Sequence, residues 1–293
     1  MRRFDLLQPK SLAEAVEVLQ GMDSDARVIA GGTALMVLMK GGVYAPSCLV
    51  SLGRISGLDR IEIGSEGNLR IGALVTQRQV ETDSCVRSLY PTLVEAVSQV
   101  GNIRIKNMAT LVGNLAHADY QSDPPPALLV LGASLEVIGP EGTRVIPLAK
   151  FFQGPYETNL QTGEIVTAIV IPQPEAAAAG AYLKFTTRSA ADRTCVGVAV
   201  QLMRKGNSLA NLQVALGAVA GVPYLVNGLT ESFQGRQFTA EFMDEVAELA
   251  AQGIEPFSDL RGSAAYKKQM IQVFVRRSLK VAWERAMNLQ EVS

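Results

Sequence analysis

The hydrophobic positions change their period several times along the chain, and each change predicts an element. Residues 4–9 are short and extended. Ser11, with Glu14 three positions on, opens a capping box, and Leu12, Ala15, Val16 and Leu19 form one face of a helix that Gly21 stops. Val28-Ile29-Ala30 predicts a buried strand, Gly31-Gly32-Thr33 a tight turn, and 34–40 a helix halted by Gly41-Gly42. Another apolar strand follows at Cys48–Ser51. Alternation at Ile61 and Ile63, then at Leu69, Ile71 and Ala73, predicts a hairpin turning through 64–68. Residues 76–82 read as a short helix, and Pro91 opens a longer one.

The second half predicts strands at 134–138 and 144–147 and a long apolar strand over 163–172, closed by Pro172. The run PQPEAAAAGA at 172–181 has the low complexity of a linker. Segments 181–188, 194–204 and 209–221 read as three strands of one sheet. Two helices finish the chain, Ala240–Gln252 and Ala264–Gln290. In the last, Tyr266, Met270, Val273, Phe274 and Val281 recur at helical spacing, and Lys267, Lys268, Arg276 and Arg277 fall on the other face, where solvation is expected.

One stretch obeys neither period. Residues 100–133, VGNIRIKNMATLVGNLAHADYQSDPPPALLVLGA, combine Gly101, the basic Arg104 and Lys106, a Thr-x-x-Gly-Asn turn at 110–114, Asp123 and three prolines. Small residues let backbone approach a ligand, and polar groups beside them orient it. The strand-glycine-helix pattern at 28–40 has the same potential, because a helix N-terminus points free N–H groups at an anion. It is neither GxGxxG nor a Walker loop, and taken alone it fits a packing turn as well as a ligand turn.

The totals narrow the function. Of 293 residues, 48% are hydrophobic and 19% charged, with a net charge of −1, which suits a folded protein and excludes the basic footprint of a nucleic-acid binder. The length predicts two or three domains. No run approaches the roughly 20 apolar residues of a membrane span, and the N-terminus lacks a signal peptide's apolar region, so a cytoplasmic location is expected. Cys48, Cys85 and Cys195 are far apart and form no CxxC pair. They read as reduced thiols rather than cluster ligands. His117 is the sole histidine, which leaves no Ser-His-Asp or HExxH arrangement with an obvious catalyst. Any redox or group chemistry is therefore expected from a cofactor.

The two glycine turns, about 80 residues apart, are expected to converge on one diphosphate. Gly31, Gly32 and Gly113 would give close backbone approach, with Thr33, Thr110 and Asn114 as side-chain donors, at about 1.5–3 kcal/mol per charge-assisted bond. A side chain at Gly113 is expected to occupy the diphosphate's space. Asp123 suits a ligand hydroxyl or amino group, or alternatively a cap ahead of Pro124. His117 lies within the same segment as a candidate ligand contact.

Together these segments resemble the medium, FAD-binding subunits of molybdenum hydroxylases. ARVIAGGTALMVLMK is similar to the family's first FAD loop. IRIKNMATLVGNLAHADYQSDPPPALLVLGA is similar to its second, and FDLLQPKSLAEAVEVL, GEIVTAIVIP, AYLKFTTR and AYKKQMIQVFVRRSL fall where similar segments do. The resemblance covers nearly the whole chain. It implies an α+β fold: a two-part FAD-binding domain of the PCMH/vanillyl-alcohol-oxidase-like type over 1–55 and 56–173, with FAD between the parts, and a C-terminal antiparallel sheet and helical bundle over 178–293. It implies FAD contacts at Val28, Ile29, Ala30, Gly31, Gly32, Thr33, Ala34, Leu35, Gly101, Thr110, Gly113, Asn114, Asp123, Val166 and Lys184, with Asp192 near the flavin's reactive face. Lys184 taken alone also fits a solvated edge-strand charge.

The implied role is electron transfer. A large molybdenum-cofactor subunit would oxidise substrate, a small subunit with two [2Fe-2S] clusters would pass electrons to FAD, and NAD, a quinone or another acceptor would take them. A dimer of heterotrimers is the implied assembly. Three departures stand out: Val112 replaces the first glycine of the usual GGN, Ala34 the usual Asp or Ser, and Arg104 and Lys106 the usual Gln and Arg. Two other readings compete. A self-sufficient flavin oxidoreductase would need a substrate-side acid or base from among His117, Asp192 and Tyr156, and a cofactor-free assembly subunit would need no flavin.

Overall fold

Three short parallel strands begin the chain in a computed structural model that describes residues 2–22, 25–189 and 192–290. They are β1 (Asp5–Leu7), β2 (Ala26–Ile29) and β3 (Cys48–Ser51), in the order β1-β3-β2. Helix α1 (Leu12–Gly21) joins the first two. Ser11 Oγ accepts the Glu14 amide at 3.2 Å, while the Glu14 carboxylate accepts the Lys10 amide at 2.7 Å, so the expected box closes one residue early on its return side. Helix α2 (Thr33–Lys40) joins β2 to β3. Because β2 and β3 run parallel with Ile29 opposite Ser51, the glycine turn after β2 and the loop after β3 leave the same edge of the sheet.

Next comes the hairpin β4 (Ile61–Ile63) and β5 (Leu69–Gly72), succeeded by α3 (Gln77–Thr82), α4 (Ser84–Leu89) and α5 (Pro91–Ser98). Helix α4 has no counterpart in the periodicity, and Asp83 starts it by accepting the Val86 amide at 2.9 Å. Stretch 100–133 holds three helices: α6 (Ile103–Lys106), α7 (Leu111–His117) and α8 (Pro124–Val130). The expected turn at 110–114 is thus the first turn of α7. Pro124, Pro125 and Pro126 open α8, where their missing N–H groups would have had no intrahelical partner.

Strands β6 (Ser134–Gly139), β7 (Gly142–Pro147), β8 (Phe152–Gly154), β9 (Glu157–Thr158) and β10 (Ile165–Ile171) come after α8. β10 lies at the centre of a five-stranded antiparallel sheet ordered β4-β5-β10-β6-β7. Then come β11 (Ala178–Phe185), β12 (Val196–Lys205), β13 (Ser208–Gly217) and β14 (Tyr224–Leu225), an antiparallel sheet in that order, and helices α9 (Leu229–Phe233), α10 (Ala240–Gln252) and α11 (Ala264–Gln290). The chain forms two units: Met1–Val80, Asn102–Ala118 and Ala133–Gln173 make the first, and Glu81–Gly101, Asp119–Gly132 and Pro174–Ser293 the second. Stretch 100–133 therefore contributes α6 and α7 to one unit and α8 to the other.

Two expectations are corrected in the second unit. The alanine run is only partly a linker, because Ala178 to Ala181 form the first half of β11, paired with Met203 to Val200 of β12. Small residues are required there. A Cβ on Gly180 would press on Gln201 and Thr92 side chains and stand 2.6 Å from Val200 O, and Arg285 of α11 donates to Gly180 O at 2.7 Å. On α11 the inward row is Lys267, Ile271, Val275, Leu279, Ala282 and Ala286, with Met270, Phe274 and Val281 alongside it and Tyr266 exposed. Helical spacing identifies the helix but not which of two neighbouring rows faces the core.

Lys267 is the sharpest change: it is fully buried rather than solvated. Its Nζ donates to Asp259 Oδ2 at 2.8 Å and to Ala218 O at 3.2 Å, and lies 4.7 Å from the centre of the Phe257 ring. Burial works to raise the Asp259 carboxyl, but its bonds from Lys267 and the Arg261 amide hold it below its ordinary value. Lys267→Met is expected to cost about 3 kcal/mol at neutral pH, since it strands a partly buried carboxylate. A depressed carboxyl stabilises the fold above its ordinary value and stops doing so as pH falls through the folded one. Denaturant titrations should therefore show the gap between wild type and variant narrowing below about pH 4.

Candidate functional site

In the first unit, the two glycine segments meet through their backbones. A Cβ on Gly31 would land on the carbonyl oxygen of Met108, 2.9 Å from Met108 C and 3.0 Å from Ala109 Cα. No side chain fits there, so glycine is what lets the turn after β2 lie against the residues that lead into α7. Gly32 comes next at φ +67, a left-handed conformation that glycine adopts without steric cost, and it caps α2 with no side-chain acceptor. The intrahelical ladder starts with Met36 N–H on Gly32 O at 2.9 Å. The first-turn amides at 33–35 thus lie at the positive end of the helix, the arrangement that receives an anion. Val28 to Leu35, including Ile29, Ala30, Thr33 and Ala34, are all half-buried.

The second segment is held by the chain that precedes it. Gln77 N–H donates to Ala109 O at 2.8 Å, and Leu111 N–H to Val75 O at 3.1 Å. Thr110 caps α7: its Oγ1 accepts the Gly113 amide at 3.0 Å. This changes two expectations. Gly113 N–H is committed to the cap, which leaves Thr110 its hydroxyl hydrogen as a donor. A Cβ at 113 would stand 2.6 Å from Thr110 Oγ1, so a side chain there disturbs the cap first. Asn114 is half-buried, one position along α7 from the exposed Gly113. His117 ends the helix with its ring 5.2 Å from that of Tyr156, and both Ala118 and Tyr156 have positive φ and are joined by a hydrogen bond that Tyr156 N–H donates to Ala118 O at 2.8 Å.

Two further features belong to this unit. Val166 is buried at a bulge where β10 shifts register against β6, which bends the strand locally. Past the end of β3, Arg54, Ile55, Ser56, Asp59, Arg60 and Leu74 line an open cavity of about 420 Å³. None of the candidate cofactor residues lines it.

The second unit holds the remaining candidates. Asp123 is 4% exposed and sits at the cap position of α8, yet makes no cap bond. Its Oδ1 accepts from Tyr182 OH at 2.6 Å and Thr194 Oγ1 at 2.7 Å, and its Oδ2 from Lys184 Nζ at 3.0 Å. Burial pushes the carboxyl up from its ordinary value, against the pull of Lys184 and the two hydroxyls. Three of about four acceptor positions are thus filled from within, and Asp123 is a hub rather than an open acceptor. Lys184, expected as the positive charge, also donates to Gln99 O at 3.2 Å, two residues before Gly101, which has φ +48. Asp192 accepts the Arg193 amide at 2.8 Å and lies 3.8 Å from Arg261.

Tyr182, Thr194 and Arg261 are not among the residues that the sequence singles out. Tyr182 has a signal, because strand alternation places it on the same face of β11 as Lys184. Thr194 and Arg261 have none, since each acts through partners far away in sequence.

Comparison with known proteins gives a consistent result. Residues 2–174 match the family model described as the FAD binding domain in molybdopterin dehydrogenase, and residues 181–282 match that of the CO dehydrogenase flavoprotein C-terminal domain. The chain is 33% identical to the carbon monoxide dehydrogenase medium chain of Hydrogenophaga pseudoflava, over 97% of this chain and 98% of that one. It is 26% identical to the xanthine dehydrogenase FAD-binding subunit of Escherichia coli O157:H7, over 93% of each. Among solved structures, a chain of the H. pseudoflava carbon monoxide dehydrogenase superposes with a TM-score of 0.93 at 32% identity, covering 97% of this chain and 98% of that one. A chain of quinoline 2-oxidoreductase from Pseudomonas putida 86 gives 0.91 at 32% identity, covering 98% and 99%.

Gly31→Ala is expected to force the two glycine segments apart. The purified variant should stay folded by circular dichroism but lose most of its flavin absorbance, whereas an alanine that retained full flavin would show that the close approach is not required.

Proposed function

The chain belongs to the FAD-binding medium subunits of the molybdenum hydroxylases, oxidoreductases whose flavin this subunit binds, and on that premise we propose that it works as the electron-transfer subunit of such a complex. Bound FAD supplies the redox chemistry, linking [2Fe-2S] clusters on a small partner subunit to an external acceptor such as NAD or a quinone. A large subunit with the molybdenum cofactor would oxidise the substrate, and the assembly would be a dimer of heterotrimers in the cytoplasm. Among the described residues, no helix is long and apolar enough to cross a membrane.

The observation that carries the reading is the backbone contact of Gly31 with Met108 and Ala109. It brings the two segments that resemble the family's FAD loops together within one unit. Gly31, Gly32 and the first turn of α2, with Thr33 beside them, would hold the diphosphate. Thr110 would donate its hydroxyl hydrogen, and Asn114 its side-chain amide. Val28, Ile29, Ala30, Ala34 and Leu35 would supply half-buried contacts to the adjoining groups, and Val166 a further one. His117 is proposed as a contact at the end of α7. In the second unit, Gly101, Lys184 and Asp192 are the proposed positions, with Asp123 fixing Lys184 rather than opening wholly to a ligand. By residue, 1–55 and 56–173 would be the two FAD-binding parts and 178–293 the C-terminal domain. Each residue acts here by binding, orienting or excluding water, and none is assigned a catalytic proton transfer.

The purified chain should show flavin absorption bands at close to one FAD per chain, and its flavin should stay oxidised when small organic substrates are added without partners. It should be reduced once the large and small subunits are restored. Absence of flavin, even after adding FAD, would favour an assembly subunit. Reduction by an organic substrate in the isolated chain would favour a self-sufficient oxidoreductase.

A further inference from the structure

Three acid–base pairs are wired together in the second unit: Asp119–Arg193 at 3.1 Å, Asp192–Arg261 at 3.8 Å and Asp259–Lys267 at 2.8 Å. Asp259 receives the Arg261 amide on Oδ1 at 2.8 Å and Lys267 on Oδ2, so the buried lysine sets the backbone from which Arg261 projects. Ala218, which takes the other Lys267 bond, donates its own amide to Tyr120 O at 3.0 Å in a left-handed conformation with φ +65. The carbonyl of Arg261 also accepts from Cys195 Sγ at 3.6 Å. Both sides of the Arg261 backbone are thereby fixed.

From that base the Arg261 side chain, only 20% exposed, reaches the 192–194 segment twice. Its Nε donates to the Arg193 carbonyl at 3.3 Å, and a terminal nitrogen lies beside the Asp192 carboxylate. One planar guanidinium can address a carbonyl and a carboxylate at once, which a lysine ammonium on a flexible stem does not reproduce. Arg193 is tied down on its other side by Asp119 and by Gln121 Oε1 at 3.4 Å. The next residue, Thr194, donates to Asp123. A single short segment thus carries both Asp192 and one of the hydroxyls that complete the Asp123–Lys184 hub.

We propose that Arg261 is a positioning residue for the bound flavin, acting by holding Asp192 and the 192–194 segment in one orientation. The inference rests on the reading of Asp192 as a flavin neighbour. Its purpose in the fold would be to convert the rigidity of the Lys267 anchor into a fixed carboxylate direction. Among the described residues, the charged groups linked to Asp192 are Arg193 on its own segment and Arg261 on the facing turn, with Asp119, Asp259 and Lys267 one contact further out.

The test is a mutant cycle on the intact complex, read by FAD content, the visible spectrum of the bound flavin and its midpoint potential. Asp192→Asn and Arg261→Gln should each retain FAD and each shift the flavin's spectrum and potential. In the Asp192→Asn background, Arg261→Gln should have no further effect on either. Arg261→Lys, which keeps the charge and loses the fork, should fold and give a smaller shift than Arg261→Gln, and it carries the cycle if Arg261→Gln fails to accumulate. A lowered Tm with an unchanged flavin would make Arg261 purely structural and overturn the proposal. The same shift in both backgrounds would also overturn it, because Arg261 would then act without Asp192. No shift in Asp192→Asn itself would remove Asp192 from the flavin's surroundings, a failure of the underlying site reading visible in that variant alone.

Discussion

The contact between Gly31 and the Met108–Ala109 backbone is one that no residue with a Cβ could make. Two main chains lie so close only where one of them has no Cβ, and the approach sets the path of the chain on each side. On one side, Gly32 turns through a left-handed conformation and releases α2 with its first-turn amides uncapped by any side chain. On the other, the chain passes Ala109, whose carbonyl takes the Gln77 amide, and enters α7 under the Thr110 cap. The arrangement is a backbone device. It owes little to the identity of most neighbouring side chains, so it tolerates Ala34 in the first turn of α2.

The second unit uses the opposite strategy and relies on buried charge. Asp123 is satisfied by two hydroxyls and one ammonium, and a carboxylate at that depth is tolerable only because it is hydrogen-bonded on both oxygens. The reward is geometric definition: Lys184, pinned between Asp123 and Gln99 O, has little freedom to turn to solvent. Lys267 does the same for the 259–261 turn. Both lysines exchange rotamer entropy for a fixed position, and in both the fixed group stands next to a residue proposed to lie near the cofactor.

How much of this is legible in the sequence depends on how local the cause is. Ser11, Gly21, Pro91 and the 64–68 turn act over a few residues, and they mark their elements because capping and turn chemistry need no tertiary partner. The two glycine segments mark where backbone can approach closely, although a glycine turn taken alone fits packing as well as a ligand. What escapes is whatever depends on distant partners. Ala178 to Ala181 resemble a linker because nothing in an alanine run announces that α11 and Thr92 must pack against it. Lys267 looks solvated because its compensating acid lies in a separate turn. Asp123 stands out in the sequence but looks like an open acceptor, because Tyr182 and Thr194 lie 59 and 71 residues away in the chain.

Val112 illustrates the same point from the other direction. It stands where the resemblance implies the first of two glycines, so its backbone must suit a β-branched residue at negative φ. It does, because 110–114 is a helix start. Val112 is in α7, outside the positive-φ residues, and its side chain is buried. At the second position of a helix capped by Thr110, a valine costs little in propensity and gains apolar burial. Gly113 beside it donates the amide that Thr110 Oγ1 accepts, and a Cβ there would meet only that hydroxyl. The two positions of the motif therefore do different work: one buries its side chain, and the other donates the capped amide.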